Sequence, residues 1–195
     1  MLILVTGGSR SGKSGFALSL AERWASPRAF LATAQAFDDE MRGRIEAHRR
    51  ARPAGWALVE EPRQVPAALR RALSGAPTVL IDCVTIWMSN LLLADESFGE
   101  TEAAWAAEEL IAATRGGGAK SASGGALESA SGGAIIVVTN EVGSGVVPDN
   151  ALARRFRDCA GRANQLIAQA ADEVYFLVSG IPMRVKPKEG NDGDL

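Results

Sequence analysis

The sequence predicts an α/β fold: a mostly parallel central sheet flanked by helices, with a short antiparallel edge near the C-terminus. Three observations carry this. Apolar runs of the buried-strand type alternate along the chain with segments of helical periodicity. The stretch Gly7-Gly8-Ser9-Arg10-Ser11-Gly12-Lys13-Ser14 fits the phosphate-binding pattern G-x-x-x-x-G-K-[ST] in full, which makes the expected fold P-loop NTPase-like. The apolar run 78–82 ends in Asp82, the carboxylate expected beside Mg²⁺ in a phosphate-loop protein.

Residues 1–6 are an apolar run read as a buried strand, and Phe16, Ala17, Leu20, Ala21 and Trp24 follow at helical spacing. The glycine-rich turn between them lets backbone N–H groups curl around an anion, and the helix N-terminus adds partial positive charge. Lys13 is placed to reach the β- and γ-phosphates, and the Ser14 hydroxyl to ligate Mg²⁺. Residues 28–33 form a second strand. Asp38 is an N-cap, with Asp39 and Glu40 in a first helical turn that favours acids. Met41, Ile45 and His48 share a face of that helix, which Pro53 ends. Residues 56–60 are a third strand and 62–73 a helix, with Pro66 weakening its first turn.

After the strand 78–82, residues 86–94 and 102–114 read as helices whose tryptophans serve packing or an interface. From 116 to 133 Gly, Ser and Ala dominate. Such a segment buries too little apolar surface to offset its ordering entropy, so it is expected to be a flexible insertion. Residues 134–139 are the clearest buried strand, followed by the loop from Asn140 to Gly145. Pro148 and Asp149 start a long helix through 171, with Leu152, Phe156, Cys159, Ala163 and Ile167 on one stripe. Residues 172–178 are the last long strand, 179–182 a turn, and 183–185 a short antiparallel return. The expected organisation is one nucleotide-binding domain over 1–186, interrupted by the insertion 116–133, then a polar tail 187–195.

Composition narrows the function. A formal charge of −2 gives no basic field for nucleic acid. No apolar stretch reaches membrane-spanning length. The apolar N-terminus has no basic segment before it and runs straight into the phosphate loop, so it is a strand and not a signal peptide. Cys83 and Cys159 lack metal-like spacing and are expected to be buried, reduced thiols of a cytoplasmic protein.

His48 is the only histidine. A lone histidine on a helix is ordinarily a packing residue, and arginines after it ordinarily a solvated helix end. Sharing a face with Met41 and Ile45, it is expected to point toward the body of the protein, and Arg49, Arg50 and Arg52 follow it beside an expected nucleotide site. Arginines there are suited to neutralising phosphate charge. A neutral imidazole is a competent nucleophile near neutral pH, unlike an unassisted serine.

Several blocks together resemble one family: Gly7 to Ser14, Ala32-Thr33-Ala34-Gln35, Asp38-Asp39-Glu40-Met41, His48-Arg49, Asp82-Cys83-Val84-Thr85, Ser89-Asn90-Leu91-Leu92, Thr139-Asn140-Glu141-Val142-Gly143 and Arg154-Arg155-Phe156-Arg157-Asp158. The sequence is similar to the bifunctional adenosylcobinamide kinase/adenosylcobinamide-phosphate guanylyltransferase family of cobalamin biosynthesis, from residue 1 to about 186 apart from the insertion. The resemblance implies two reactions. ATP or GTP phosphorylates adenosylcobinamide. GTP then guanylylates His48, and the cobinamide phosphate takes up the GMP to give adenosylcobinamide-GDP. It further implies that Ala32, Thr33, Ala34, Arg49, Arg50, Ala51, Arg52, Glu60 and Asp82 line the GTP site with the loop residues, and that the protein is a homotrimer. Two competing readings are a kinase of another small metabolite, with His48 incidental, and a GTP-dependent switch. The chain has no Asn-Lys-x-Asp guanine-reading motif, which disfavours the switch.

Overall fold

In the computed structural model the described residues are 1–36, 39, 42–43, 46, 49–50, 54–116 and 132–187. The chain runs β1 (Leu2–Gly7), α1 (Lys13–Ala21), β2 (Arg28–Ala32), β3 (Ala57–Glu60), α2 (Val65–Leu73), β4 (Thr78–Asp82), α3 (Val84–Ala94), α4 (Glu100–Gly116), β5 (Ile135–Val138), α5 (Ala151–Ala170), β6 (Glu173–Val178) and β7 (Ile181–Lys186). Residues 39, 42–43, 46 and 49–50, between β2 and β3, are helical. The readings placed on Asp38, Glu40, Met41, Ile45 and Pro53 fall outside the described residues.

All seven strands join one sheet in the order β3-β2-β4-β5-β1-β6-β7, parallel throughout except the β6–β7 pair. The run-type strands of the sequence are the central ones, because both of their faces are covered. Leu2 and Leu4 of β1, Val79 and Ile81 of β4, and Ile135 and Val137 of β5 face a core built with α2, α3, α4 and α5. Ile3, Val5, Leu80, Ile136 and Val138 alternate to the other face, under Ala17, Leu20 and Ala21 of α1. Trp87 lies in the first core, 1% exposed, with its indole N–H donating to the Arg63 carbonyl at 2.8 Å. It is therefore not an interface residue. Trp105 on α4 is 63% exposed.

Capping chemistry moves three helix boundaries from their predicted positions. The long helix begins after Asn150, not at Pro148, because the Asn150 side chain accepts the N–H groups of Leu152 and Ala153 at 2.8 and 3.1 Å. Its first stripe residue, Leu152, is left exposed. The helix predicted from 62 starts at Val65. The Glu61 carboxylate accepts the Arg63 and Gln64 N–H groups and holds the preceding turn, and Pro66 falls in the first turn, where its missing N–H costs nothing. At α4 the Glu102 carboxylate reaches back to the Gly99 N–H at 2.9 Å.

The C-terminal return is longer than predicted, six residues in place of three. The turn before it is the Ser179–Gly180 pair alone, both at positive φ. That turn touches the phosphate loop. The Gly180 N–H donates to the Ser11 carbonyl at 3.0 Å.

The Gly/Ser/Ala segment begins and ends in ordered structure. Gly116 closes α4, the Gly132 carbonyl accepts the Ala25 N–H at 3.4 Å, and the Gly133 carbonyl faces the N-terminal ammonium at 3.4 Å. Residues 117–131 and 188–195 lie outside the described residues. Replacing 117–131 by a short glycine linker is expected to leave melting temperature and turnover nearly unchanged, since shortening a loop alters closure entropy by only about 1 kcal/mol. A collapse of either in a melt and an activity assay would show that the segment packs or binds.

Candidate nucleotide site

The phosphate loop connects β1 to α1 and needs two glycines for its path. Gly7 has φ 146°, and a Cβ there would stand 2.6 Å from the Leu177 carbonyl oxygen. Gly12, at φ 91°, precedes the first residue of α1. Lys13 folds back over the loop, its ammonium donating to the Gly8 carbonyl and lying 3.4 Å from Ser11 Oγ. Burial pushes the Lys13 pKa down, opposed by the nearby Cys83 and Asp82. Arg10, at the loop's crest, holds φ 56°.

Opposite the loop, Asp82 ends β4 and its Oδ2 accepts the Ser14 hydroxyl at 2.9 Å. One hydroxyl and one carboxylate converging so closely form a hard-oxygen donor pair. That fits Mg²⁺, which keeps several waters and takes its other ligands from substrate phosphates. Loop and carboxylate open on a cavity of about 510 Å³. Ser9 to Ser14, Ala32, Ala34, Arg49, Glu60 and Asp82 line it. Arg49 is paired with Glu60, which brings the helical segment before β3 and the end of β3 to one wall; hydrogen bonding and charge from Glu60 raise the Arg49 pKa.

Other predicted residues go elsewhere. Thr33 is fully buried and does not line the cavity. Its hydroxyl accepts the Cys83 N–H and donates to the Cys83 carbonyl, both at 2.8 Å, while its own N–H bonds the Asp82 carbonyl at 3.1 Å. It braces the chain that carries Asp82. Gly7 and Gly8 shape the loop from behind the cavity, and Arg50 is exposed and outside the lining. His48, Ala51 and Arg52 lie outside the described residues.

Both cysteines are free and buried, as expected. Cys83 borders the cavity, but burial and then the Asp82 charge push its thiol up to about 12, so it is no nucleophile. Asn140 also lines the cavity; its signals in the sequence are its place directly after a buried run and its membership of the block Thr139 to Gly143. Asn164, which bonds its carbonyl at 3.0 Å, sits in the middle of α5 and gave none.

A parallel sheet with a phosphate loop at the end of β1 and an Asp–Ser pair facing it defines a P-loop nucleotide-binding protein that handles phosphates at the C-terminal ends of its strands. A solved ATPase from the type III secretion system of pathogenic bacteria shares this fold, with TM-score 0.53 and 13% identity over 91% of this chain. This chain spans 51% of that ATPase. The chain belongs to the cobinamide kinase / cobinamide phosphate guanyltransferase family of bifunctional transferases, whose model matches residues 3–185. It is 42% identical to the bifunctional adenosylcobalamin biosynthesis protein CobU of Escherichia coli K12, over 95% of this chain and 100% of that protein. It is 40% identical to the bifunctional adenosylcobalamin biosynthesis protein CobP of Pseudomonas aeruginosa, over 94% and 96%.

Proposed function

We propose that this chain performs both reactions: phosphorylation of adenosylcobinamide by ATP or GTP, then GMP transfer from GTP to the product. The observation that carries the reading is the single cavity that unites Lys13, the Ser14–Asp82 pair and the Arg49–Glu60 wall. In the first reaction the acceptor hydroxyl oxygen bonds the γ-phosphorus as the bridging P–O bond breaks. The nucleoside diphosphate departs with the bonding pair and the hydroxyl proton passes to solvent. Lys13 and the loop amides hold the phosphates and take up charge as the bond breaks. Ser14 and Asp82 would hold Mg²⁺, which would supply charge neutralisation to the phosphates.

In the second reaction a His48 ring nitrogen bonds the α-phosphorus and pyrophosphate leaves. A phosphate oxygen of adenosylcobinamide phosphate then takes the GMP as the P–N bond breaks. The loop residues Gly7 to Ser14, with Ala32, Ala34, Arg49, Arg50, Ala51, Arg52, Glu60 and Asp82, are assigned to nucleotide binding. Thr33 contributes through its brace on Cys83. The assignment of His48, Ala51 and Arg52 rests on the family resemblance.

The protein is further assigned as a single-domain, cytoplasmic homotrimer. Among the described residues no helix is long and apolar enough to cross a membrane. Exposed apolar side chains at the edge strand, Ile181, Met183 and Val185, are of the kind subunit contacts cover. A monomeric mass in analytical ultracentrifugation would reject the trimer. The catalytic reading is tested by incubating the protein with adenosylcobinamide and GTP and following both products. Adenosylcobinamide phosphate and adenosylcobinamide-GDP are expected in sequence; absence of either removes the corresponding activity.

A further inference from the structure

We propose that the Asn140 side chain is the group that grips the terminal phosphoryl unit of the nucleoside triphosphate, and that Asn164 is the residue that positions it. The proposal rests on the kinase reading above.

The sheet order sets the place. β5 lies between β1, which delivers the phosphate loop, and β4, which delivers Asp82. Val138, the last residue of β5, is in register with Val5 on one side and Asp82 on the other. Asn140 therefore emerges between the loop and the Ser14–Asp82 pair, where the terminal phosphate of a bound triphosphate and its cation meet.

The main chain there is fixed on every side. The Asn140 N–H donates to Thr85 Oγ1 at 2.7 Å, and its carbonyl accepts Asn164 Nδ2 at 3.0 Å. The Glu141 N–H donates to the Gly7 carbonyl at 3.1 Å, tying this turn to the root of the phosphate loop. Behind it, Thr139 Oγ1 donates to Asn164 Oδ1 at 2.7 Å. With that proton committed, the 3.1 Å contact between Thr85 and Thr139 has Thr85 as donor. Thr85, Thr139 and Asn164 are all buried. The chain of bonds has one consistent direction, and rotating the Asn164 amide would set acceptor against acceptor at Asn140.

This frame surrounds a side chain that it does not use. Among the described residues the Asn140 amide makes no hydrogen bond, and it lines the cavity. A donor carried on a fixed backbone, with no hydrogen bond among the described residues and facing this cavity, is placed for a phosphate oxygen. A neutral amide serves this place better than another cation. It adds directionality without competing with Lys13 for the loop.

The test uses purified full-length protein. Asn140→Ala should keep its melting temperature, because no hydrogen bond within the described residues is lost. Its kcat for cobinamide phosphorylation should fall by about 10²-fold. Its affinity for GDP should hold, while the preference for β,γ-imido-GTP over GDP shrinks by about tenfold. Asn164→Ala should show the same pattern more weakly, and the double variant should be no slower than Asn140→Ala. An unchanged phosphorylation kcat, equal losses of GDP and triphosphate affinity, or additive losses in the double variant would each overturn the proposal. A wild-type protein that does not phosphorylate cobinamide overturns the kinase reading as well; wild-type turnover with an indifferent Asn140 overturns this proposal alone.

Discussion

Lys13→Ala is expected to slow both transfer reactions by about 10²-fold or more. The side chain is buried, and its ammonium is held over the loop by the Gly8 carbonyl and Ser11 Oγ, so on the proposed reading the charge stands ready for phosphate. A preorganised charge in a site that excludes water is worth several kcal/mol of transition-state stabilisation. The variant also removes the tie between the loop's crest and its root, so nucleotide affinity should fall with kcat. The lowered pKa gives a second signature. The free enzyme loses this cation at a pH below the ordinary lysine range, so the alkaline limb of kcat/KM should come earlier than for a solvent-exposed lysine. Bound phosphates favour the charged form, so the same limb in kcat should move back up. Near-normal phosphorylation by Lys13→Ala, measured at saturating nucleotide, would remove the phosphate loop from the mechanism.

The second large effect is expected at His48. His48→Ala should abolish the covalent GMP adduct and formation of adenosylcobinamide-GDP, while phosphorylation of adenosylcobinamide stays measurable. On the proposed reading, the phosphate loop, Ser14 and Asp82 are the groups that place the γ-phosphate against a hydroxyl, and His48 is not among them. Attack at the α-phosphate needs a nucleophile, and the chain has no second histidine. Cys83 offers no substitute, since burial pushes its thiol up to about 12. The adduct should be acid-labile and base-stable, as a phosphoramidate is. Its formation should weaken as pH falls below about 6.5, where an ordinary imidazole takes up a proton. Mass spectrometry of the protein after incubation with GTP reads all of this. Retained guanylyl transfer in His48→Ala would make direct attack by cobinamide phosphate on GTP the better account.

What the sequence discloses of this site follows from how local each signal is. The phosphate loop, β1 and β4 are legible because they are contiguous: eight loop residues in a fixed pattern, and apolar runs whose two covered faces leave no polar alternation. Asp82 is legible once the loop is, since its place at a strand's end follows from the fold. Thr33 is legible as a position and not as a direction. It follows β2 beside Ala32 and Ala34, which face the cavity, but its own hydroxyl is claimed by the backbone of Cys83, fifty residues on. Asn164 is hidden for the same reason: a polar residue in the middle of a helix has no meaning until Thr139 and Asn140 are set against it. The sequence reading starts α5 at Pro148 and Asp149, and only the cap hydrogen bonds of Asn150 move that start along the chain.

The turn between β6 and β7 has a consequence for how the loop's motion is read. The Gly180 amide hydrogen is spent on the carbonyl of Ser11, so it exchanges with solvent only when turn and phosphate loop part. That hydrogen is a clock on loop opening, placed outside the cavity. A nucleotide that draws the loop amides around its phosphates stabilises the closed form by mass action, and the clock slows. Deuterium uptake followed by NMR should show the Gly180 amide protected on saturation with GTP. The Leu152 amide, in the first turn of α5, is bonded to a side chain of its own cap and should keep its rate. Equal uptake at Gly180 with and without nucleotide would mean that the loop breathes as freely when filled as when empty.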